Sequence, residues 1–130
     1  MKKIIFALII MTLISSCEKK SFPTLFMIGD STMADKPLEA NPERGWGQLL
    51  PEFFDTTLIK IENHARNGRS TRSFIYESRW DTVYSRMNEG DFIIIQFGHN
   101  DGSIEKTGRH ATPEEYRYNL VKFIKERHQD

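Results

Sequence analysis

The sequence predicts an α/β fold: a parallel sheet of three strands with helices packed on its faces. Three observations lead there. Apolar runs at 24–28, 57–61 and 91–97 stop at or near clusters of Gly, Asp, Asn or Ser. Large apolar residues at helical spacing lie between these runs and after the last one. The resulting order, strand then helix three times over, favours parallel strands joined by crossover helices. The 130 residues give room for one domain, and 38% hydrophobic with 28% charged residues is ordinary for a globular chain. Lys plus Arg and Asp plus Glu both number 18, so no basic surplus points to nucleic acid. A single cysteine excludes an intramolecular disulfide.

The chain starts with an address rather than a fold element. Lys2 and Lys3 precede residues 4–14, which are apolar apart from Thr12. Eleven residues are too few to span a bilayer, which needs about 20. A basic start and an apolar stretch of this length read as a signal peptide. Leu13-Ile14-Ser15-Ser16-Cys17 then resembles the bacterial lipobox. That resemblance implies a signal peptide at 1–16, lipidation of Cys17, a lipidated tether at 17–23 and a domain at 24–130. It also implies a protein anchored to a membrane of the bacterial cell envelope. An ordinary secretory signal with an incidental cysteine is the competing reading.

The elements follow in order. Residues 24–28 form a continuous apolar run that ends at Gly29-Asp30-Ser31-Thr32, the pattern of a buried strand. Pro37, Asn41 and Pro42 mark 34–44 as a loop. Within 45–54, Trp46, Leu49, Leu50, Phe53 and Phe54 fall on one helical stripe, with Pro51 as the objection. Residues 57–61 alternate and are rich in β-branched side chains, which predicts a second strand, and Asn67-Gly68 a turn after it. Trp80, Val83, Tyr84 and Met87 predict helix within 71–87, closed by Glu89-Gly90. Residues 91–97 are the strongest strand and end at Gly98-His99-Asn100-Asp101. Thr112-Pro113-Glu114-Glu115 opens a helix: a capping residue, proline at the first position and acids in the first turn. Tyr116, Leu120, Phe123, Ile124 and Arg127 continue its stripe.

In open α/β sheets ligands bind beyond the carboxyl ends of the strands. The polar clusters sit at those ends, so Ser31, Gly68 and Asn100 are expected to meet in one site. The same residues carry a family resemblance. Gly29-Asp30-Ser31-Thr32, Asn67-Gly68 and Gly98-His99-Asn100-Asp101 resemble the first three blocks of the SGNH (GDSL-type) hydrolases. Longer stretches are similar to the rhamnogalacturonan acetylesterase branch. They are Ile28-Gly29-Asp30-Ser31-Thr32-Met33, Arg44-Gly45-Trp46-Gly47-Gln48-Leu49-Leu50, Ala65-Arg66-Asn67-Gly68-Arg69-Ser70-Thr71-Arg72-Ser73-Phe74 and Ile95-Gln96-Phe97-Gly98-His99-Asn100-Asp101.

The resemblance covers about residues 24–128. It implies a flavodoxin-like, three-layer α/β/α sandwich, here its first three parallel strands in the order 2-1-3. It implies Ser31 as nucleophile, Gly68 and Asn100 as oxyanion-hole donors, and no metal or other cofactor. The substrate implied is an acetylated polysaccharide or oligosaccharide. Arg69, His99 and Asp101 are candidate substrate-binding residues; Arg66, Arg69 and Arg72 are placed to face an acidic sugar such as galacturonate, with a solvated or helix-capping role competing equally. Simpler roles compete for each residue. Ser31 suits a cap, Gly68 a turn with positive φ, Asn100 an Asx-turn, and Asp30 and Asp101 suit loop geometry. His64, His110 and His128 read as structural or exposed.

In these hydrolases the base is a histidine in an Asp-x-x-His block, and no aspartate of this sequence has a histidine three positions later. The expectation is therefore the front portion of such an enzyme, inactive alone and inclined to associate through an apolar edge strand. A catalytically dead, lipid-anchored glycan-binding protein is the alternative. A nucleotide binder is disfavoured, because no Gly-x-Gly-x-x-Gly or Walker loop follows the first strand.

Overall fold

Strand β1 (Thr24–Gly29) runs through the middle of a three-stranded parallel sheet of order β2-β1-β3. The structure is a computed structural model and describes residues 22–39 and 42–126. The lipidation site Cys17, the leader at 1–16, Arg127 and His128 lie outside the described residues. Thr24 pairs with Lys60 and Met27 with Asn63 on one side of β1, and Leu25 with Phe92 through Gly29 with Gln96 on the other. The predicted class and the 2-1-3 order are both borne out.

A central strand must be apolar on both faces, and β1 is. Phe26 and Ile28 join Phe74, Trp80, Val83, Phe97 and Phe123 in one core cluster. Leu25 and Met27 join Met33, Ala34 and Ala65 in the other. The first cluster is covered by α2 (Thr71–Tyr76), α3 (Arg79–Tyr84) and α4 (Pro113–Glu126). Trp80, Phe74 and Phe123 have no exposed surface, and burying each contributes about 1.5–3 kcal/mol.

The second face is covered more thinly. The helix expected over 45–54 is only α1 (Trp46–Leu49), followed by a 3-10 turn at Leu50–Phe53 that carries Pro51 in its opening. Proline lacks the N–H that would extend α1 as an α-helix. Trp46, Leu49, Phe53 and Phe54 are exposed, so the expected stripe does not face the core; Leu50 alone packs against it. Gly45 and Gly47 make the contact instead. A Cβ on either would lie 2.0–2.6 Å from the carbonyl oxygens of Met33 or Ala34.

Strand β2 (Lys60–Asn63) starts three residues later than the 57–61 run predicts. Asp55 captures that run in a turn: its Oδ1 accepts the Thr57 N–H at 3.0 Å, and its carbonyl accepts the Leu58 N–H at 2.9 Å. Local side-chain bonds of this kind compete with strand pairing. The helical stretch at 71–87 divides at Ser78, whose φ of 52° is left-handed. Ser70 caps α2 through a reciprocal box with Ser73. Thr112 and Glu115 do the same for α4: Thr112 N–H donates to Glu115 Oε2 at 2.9 Å, and Glu115 N–H to Thr112 Oγ1 at 3.2 Å. Strand β3 (Phe92–Gln96) has no further strand beside it among the described residues, and its isoleucines are only half-buried.

Candidate active site

The three strand ends converge because their loops are bonded to one another. Asp30 N–H donates to the Gln96 carbonyl at 3.2 Å, which ties the end of β1 to the end of β3. Arg66 N–H donates to the Gly29 carbonyl at 2.9 Å, which ties the loop after β2 to β1. Asn100 Nδ2 donates to the Arg69 carbonyl at 3.0 Å and closes the triangle. Ser31, Gly68 and Asn100 therefore stand on three loops joined into one cluster.

Ser31 sits in a tight turn. Met33 N–H and Ala34 N–H both donate to the Asp30 carbonyl, at 3.3 and 3.1 Å. The Asp30 side chain is fully buried and spent on holding this turn: Oδ1 accepts the Thr32 N–H at 2.9 Å, and Oδ2 accepts Gln96 Nε2 at 3.2 Å. The Thr32 hydroxyl adds a 2.7 Å bond to Gln96 Oε1. On the other side, Trp46 N–H donates to the Thr32 carbonyl at 2.9 Å. Ser31 is thus clamped by its neighbours and makes no side-chain hydrogen bond with another described residue.

Gly68 has φ of +74°, in the left-handed region that favours glycine. Asn100 is buried. Its Nδ2 carries two hydrogens, of which one is used on Arg69. Neither the Ser31 N–H nor the Gly68 N–H finds an acceptor among the described residues. Three donors at convergent loops are therefore left for a ligand: two backbone amides and one carboxamide N–H. A site of that kind stabilises an oxyanion.

The remaining candidates have other partners. Arg69 donates from Nε to Glu77 Oε2 at 3.1 Å and from Nη1 to the Asn67 carbonyl at 3.0 Å. Glu77 is held below its ordinary pKa by Arg79 first, against slight burial, and then by Arg69. Asp101 is buried and faces away from solvent: its Oδ1 accepts both the N–H and the hydroxyl of Thr71, and its Oδ2 has no partner. It braces the loop after β2 against the loop after β3, one residue from Asn100. His99 is exposed at the rim. His64 Nε2 lies 2.9 Å from Glu62, and His110 Nδ1 lies 2.8 Å from the Asp101 carbonyl. Among the described residues no three His, Cys, Asp or Glu side chains group to hold a metal ion. A shallow pocket of about 470 Å³ opens beside the site, with Gly98, Asp101, His110 and Tyr116 in its wall. Burial there raises the pKa of the Tyr116 hydroxyl, helped by the charges of Asp101 and Asp30; that hydroxyl donates to the Phe97 carbonyl at 3.0 Å.

Two further groups shape this site and were given no role from the sequence. Gln96 ends β3 inside the matching stretch 95–101, and it locks the Ser31 turn. Arg109 lies in a loop 41 positions after Gly68 and packs its guanidinium against that glycine.

Comparison with known sequences agrees with this geometry. The profile of the GDSL-like Lipase/Acylhydrolase family matches residues 27–130. The chain belongs to this family. Among its GDSL-like relatives, rhamnogalacturonan acetylesterase RhgT of Bacillus subtilis is 37% identical over 92 residues, covering 71% of this chain and 39% of the relative. A rhamnogalacturonan acetylesterase of Emericella nidulans is 39% identical over 79 residues, covering 61% of this chain and 29% of the relative. The solved structure of Bacillus subtilis protein YxiM superposes with a TM-score of 0.73 at 25% identity, covering 82% of this chain and 29% of that one. The chain thus matches well under half the length of each of these relatives. The family read from the three blocks is borne out, and so is the fold that it implies.

Proposed function

We propose that this chain carries the nucleophile and the oxyanion hole of a serine-dependent carbohydrate acetylesterase, acting on acetylated polysaccharide of the rhamnogalacturonan or pectin type. The observation that carries the proposal is the set of three unspent donors around Ser31: its own N–H, the Gly68 N–H and the second N–H of Asn100. Ser31 Oγ attacks the acetyl carbonyl carbon and gives its proton to a base. The carbonyl oxygen becomes an oxyanion and receives the three N–H groups, each typically worth about 2.7–4 kcal/mol in the transition state. The C–O bond to the sugar breaks, the sugar oxygen takes the proton from the base, and acetyl-Ser31 remains. Water then attacks the acyl-enzyme and releases acetate.

Among the described residues no base is bonded to Ser31: His64 holds Glu62, His110 holds the Asp101 carbonyl, and His99 is exposed at the rim. We infer little turnover from this polypeptide by itself. Acetate release from acetylated rhamnogalacturonan, measured with added imidazole standing in for the base, tests the reading. Release that depends on Ser31 is expected. Equal release from wild type and Ser31→Ala overturns it. The histidine geometry also favours a second reading, glycan binding without hydrolysis, for which binding persists in Ser31→Ala and imidazole elicits no Ser31-dependent acetate. Anchoring at Cys17 would place either activity at the cell envelope.

A further inference from the structure

We propose that Arg109 is a specificity-determining residue of this site, which recognises a carboxylate on the ester substrate next to the scissile acyl group. This rests on the esterase reading above, whose rhamnogalacturonan- or pectin-type substrate carries uronate carboxylates, and assigns the recognition of such a carboxylate to one residue.

The guanidinium of Arg109 lies against Gly68. A Cβ built on Gly68 would meet Nη1 at 3.0 Å and both Cζ and Nη2 at 3.1 Å. Approach in the guanidinium plane through the fork would leave Cζ clearly farther than the two nitrogens. The near-equal distances therefore put the flat face of the guanidinium on the glycine. Its N–H groups lie in that plane and point sideways along the rim.

The backbone that carries Arg109 is held in place. Arg109 N–H and His110 N–H both donate to the Lys106 carbonyl at 2.8 Å, and Ala111 N–H donates to the Asp101 carbonyl at 3.1 Å. Arg72 Nη1 reaches the His110 carbonyl at 3.2 Å. The 106–111 turn is thereby bound to the loop that carries Asn100.

The charge of Arg109 is unspent. No carboxylate of a described residue forms an ion pair with it, and no described acceptor takes its guanidinium hydrogens. Arg69, by contrast, already donates to Glu77, a carboxylate that it shares with Arg79. A half-buried, always-charged guanidinium without a counter-ion is a cost that a bound carboxylate removes, and its planar fork suits a carboxylate in particular. It stands beside the amide that would hold the oxyanion, so the carboxylate and the ester belong to the same or adjacent sugar units.

The probe is acetylated digalacturonate and its methyl ester, in which each charged carboxylate is replaced by a neutral ester carrying one extra methyl group. Binding to the full chain is followed by NMR at the Gly68 amide. The wild type is expected to bind the acid form roughly tenfold more tightly than the methyl ester, a difference that falls with added salt. Arg109→Gln should abolish that discrimination, and Arg109→Lys should keep part of it, while both variants retain the wild-type unfolding midpoint. Equal affinity of the wild type for the two forms, binding of neither, or unchanged discrimination in Arg109→Gln overturns the assignment. Failure of the esterase reading is seen separately, in acetylation of Ser31 by p-nitrophenyl acetate, which needs no sugar.

Discussion

Replacing Thr71 by valine tests whether the site is built on buried hydrogen bonds between its loops. The Thr71 hydroxyl donates to Asp101 Oδ1 and accepts from Asn119 Nδ2 at 3.0 Å. Thr71 N–H adds a 3.0 Å bond to the same carboxylate oxygen, while Oδ2 is buried without a partner. Valine keeps the shape and removes the hydroxyl. The carboxylate then keeps a single donor. A lost hydrogen bond to a charged group costs about 1.5–3 kcal/mol. Asn119 is half-buried and can turn to water, so little is added. The expected loss is about 2 kcal/mol, or roughly 8–16 °C in Tm for a domain near 100 residues. Urea unfolding, followed by the fluorescence of buried Trp80, reads it. Thr71→Ser is the control: it keeps both hydroxyl bonds and loses one methyl, for about 1 kcal/mol. If Thr71→Val costs less than Thr71→Ser, the hydroxyl–carboxylate bond is not what joins these loops.

Other consequences follow from single contacts. Thr112→Ala removes one half of the α4 capping box and should cost about 1 kcal/mol in the same unfolding assay. Burial opposes ionisation of Glu62, but Lys60, His64 and Arg86 together hold its pKa below the ordinary 4.5. A carboxylate depressed on folding stabilises the protein above its unfolded pKa and loses that contribution as pH falls through its folded pKa. Wild-type stability should therefore fall more steeply below pH 4.5 than that of Glu62→Gln, as measured by urea midpoints across that range. Cys17→Ser should abolish incorporation of an alkyne-tagged fatty acid when the chain is expressed in a bacterium, with the protein leaving the membrane fraction.

The sheet was legible because its signals are local and redundant. The runs at 24–28 and 91–97 are apolar, bounded by turn residues, and became β1 and β3 within a residue. Thr112-Pro113 marked the start of α4 to the residue. The misplacements each have a named competitor. Asp55 took Thr57 and Leu58 into a turn and delayed β2, and Pro51 cut short the helix that the spacing from Trp46 suggested. Strand-end punctuation and block resemblance put Ser31, Gly68 and Asn100 at three strand ends, and the Arg66–Gly29 and Asn100–Arg69 bonds join those loops. What escaped were contacts between residues far apart in sequence. Nothing local tells that Gln96 locks the Ser31 turn, or that Arg109 will lie on Gly68. The arginine nearest the motif is Arg69, which pairs with Glu77 together with Arg79.

Peptide mapping by mass spectrometry after incubation with p-nitrophenyl acetate and imidazole tests the central claim, that Ser31 receives the acyl group. Acetyl on Ser31 is expected, up to one equivalent per chain, and none at that peptide in Ser31→Ala. Acetylation spread over lysines and other serines with Ser31 unmodified would contradict it.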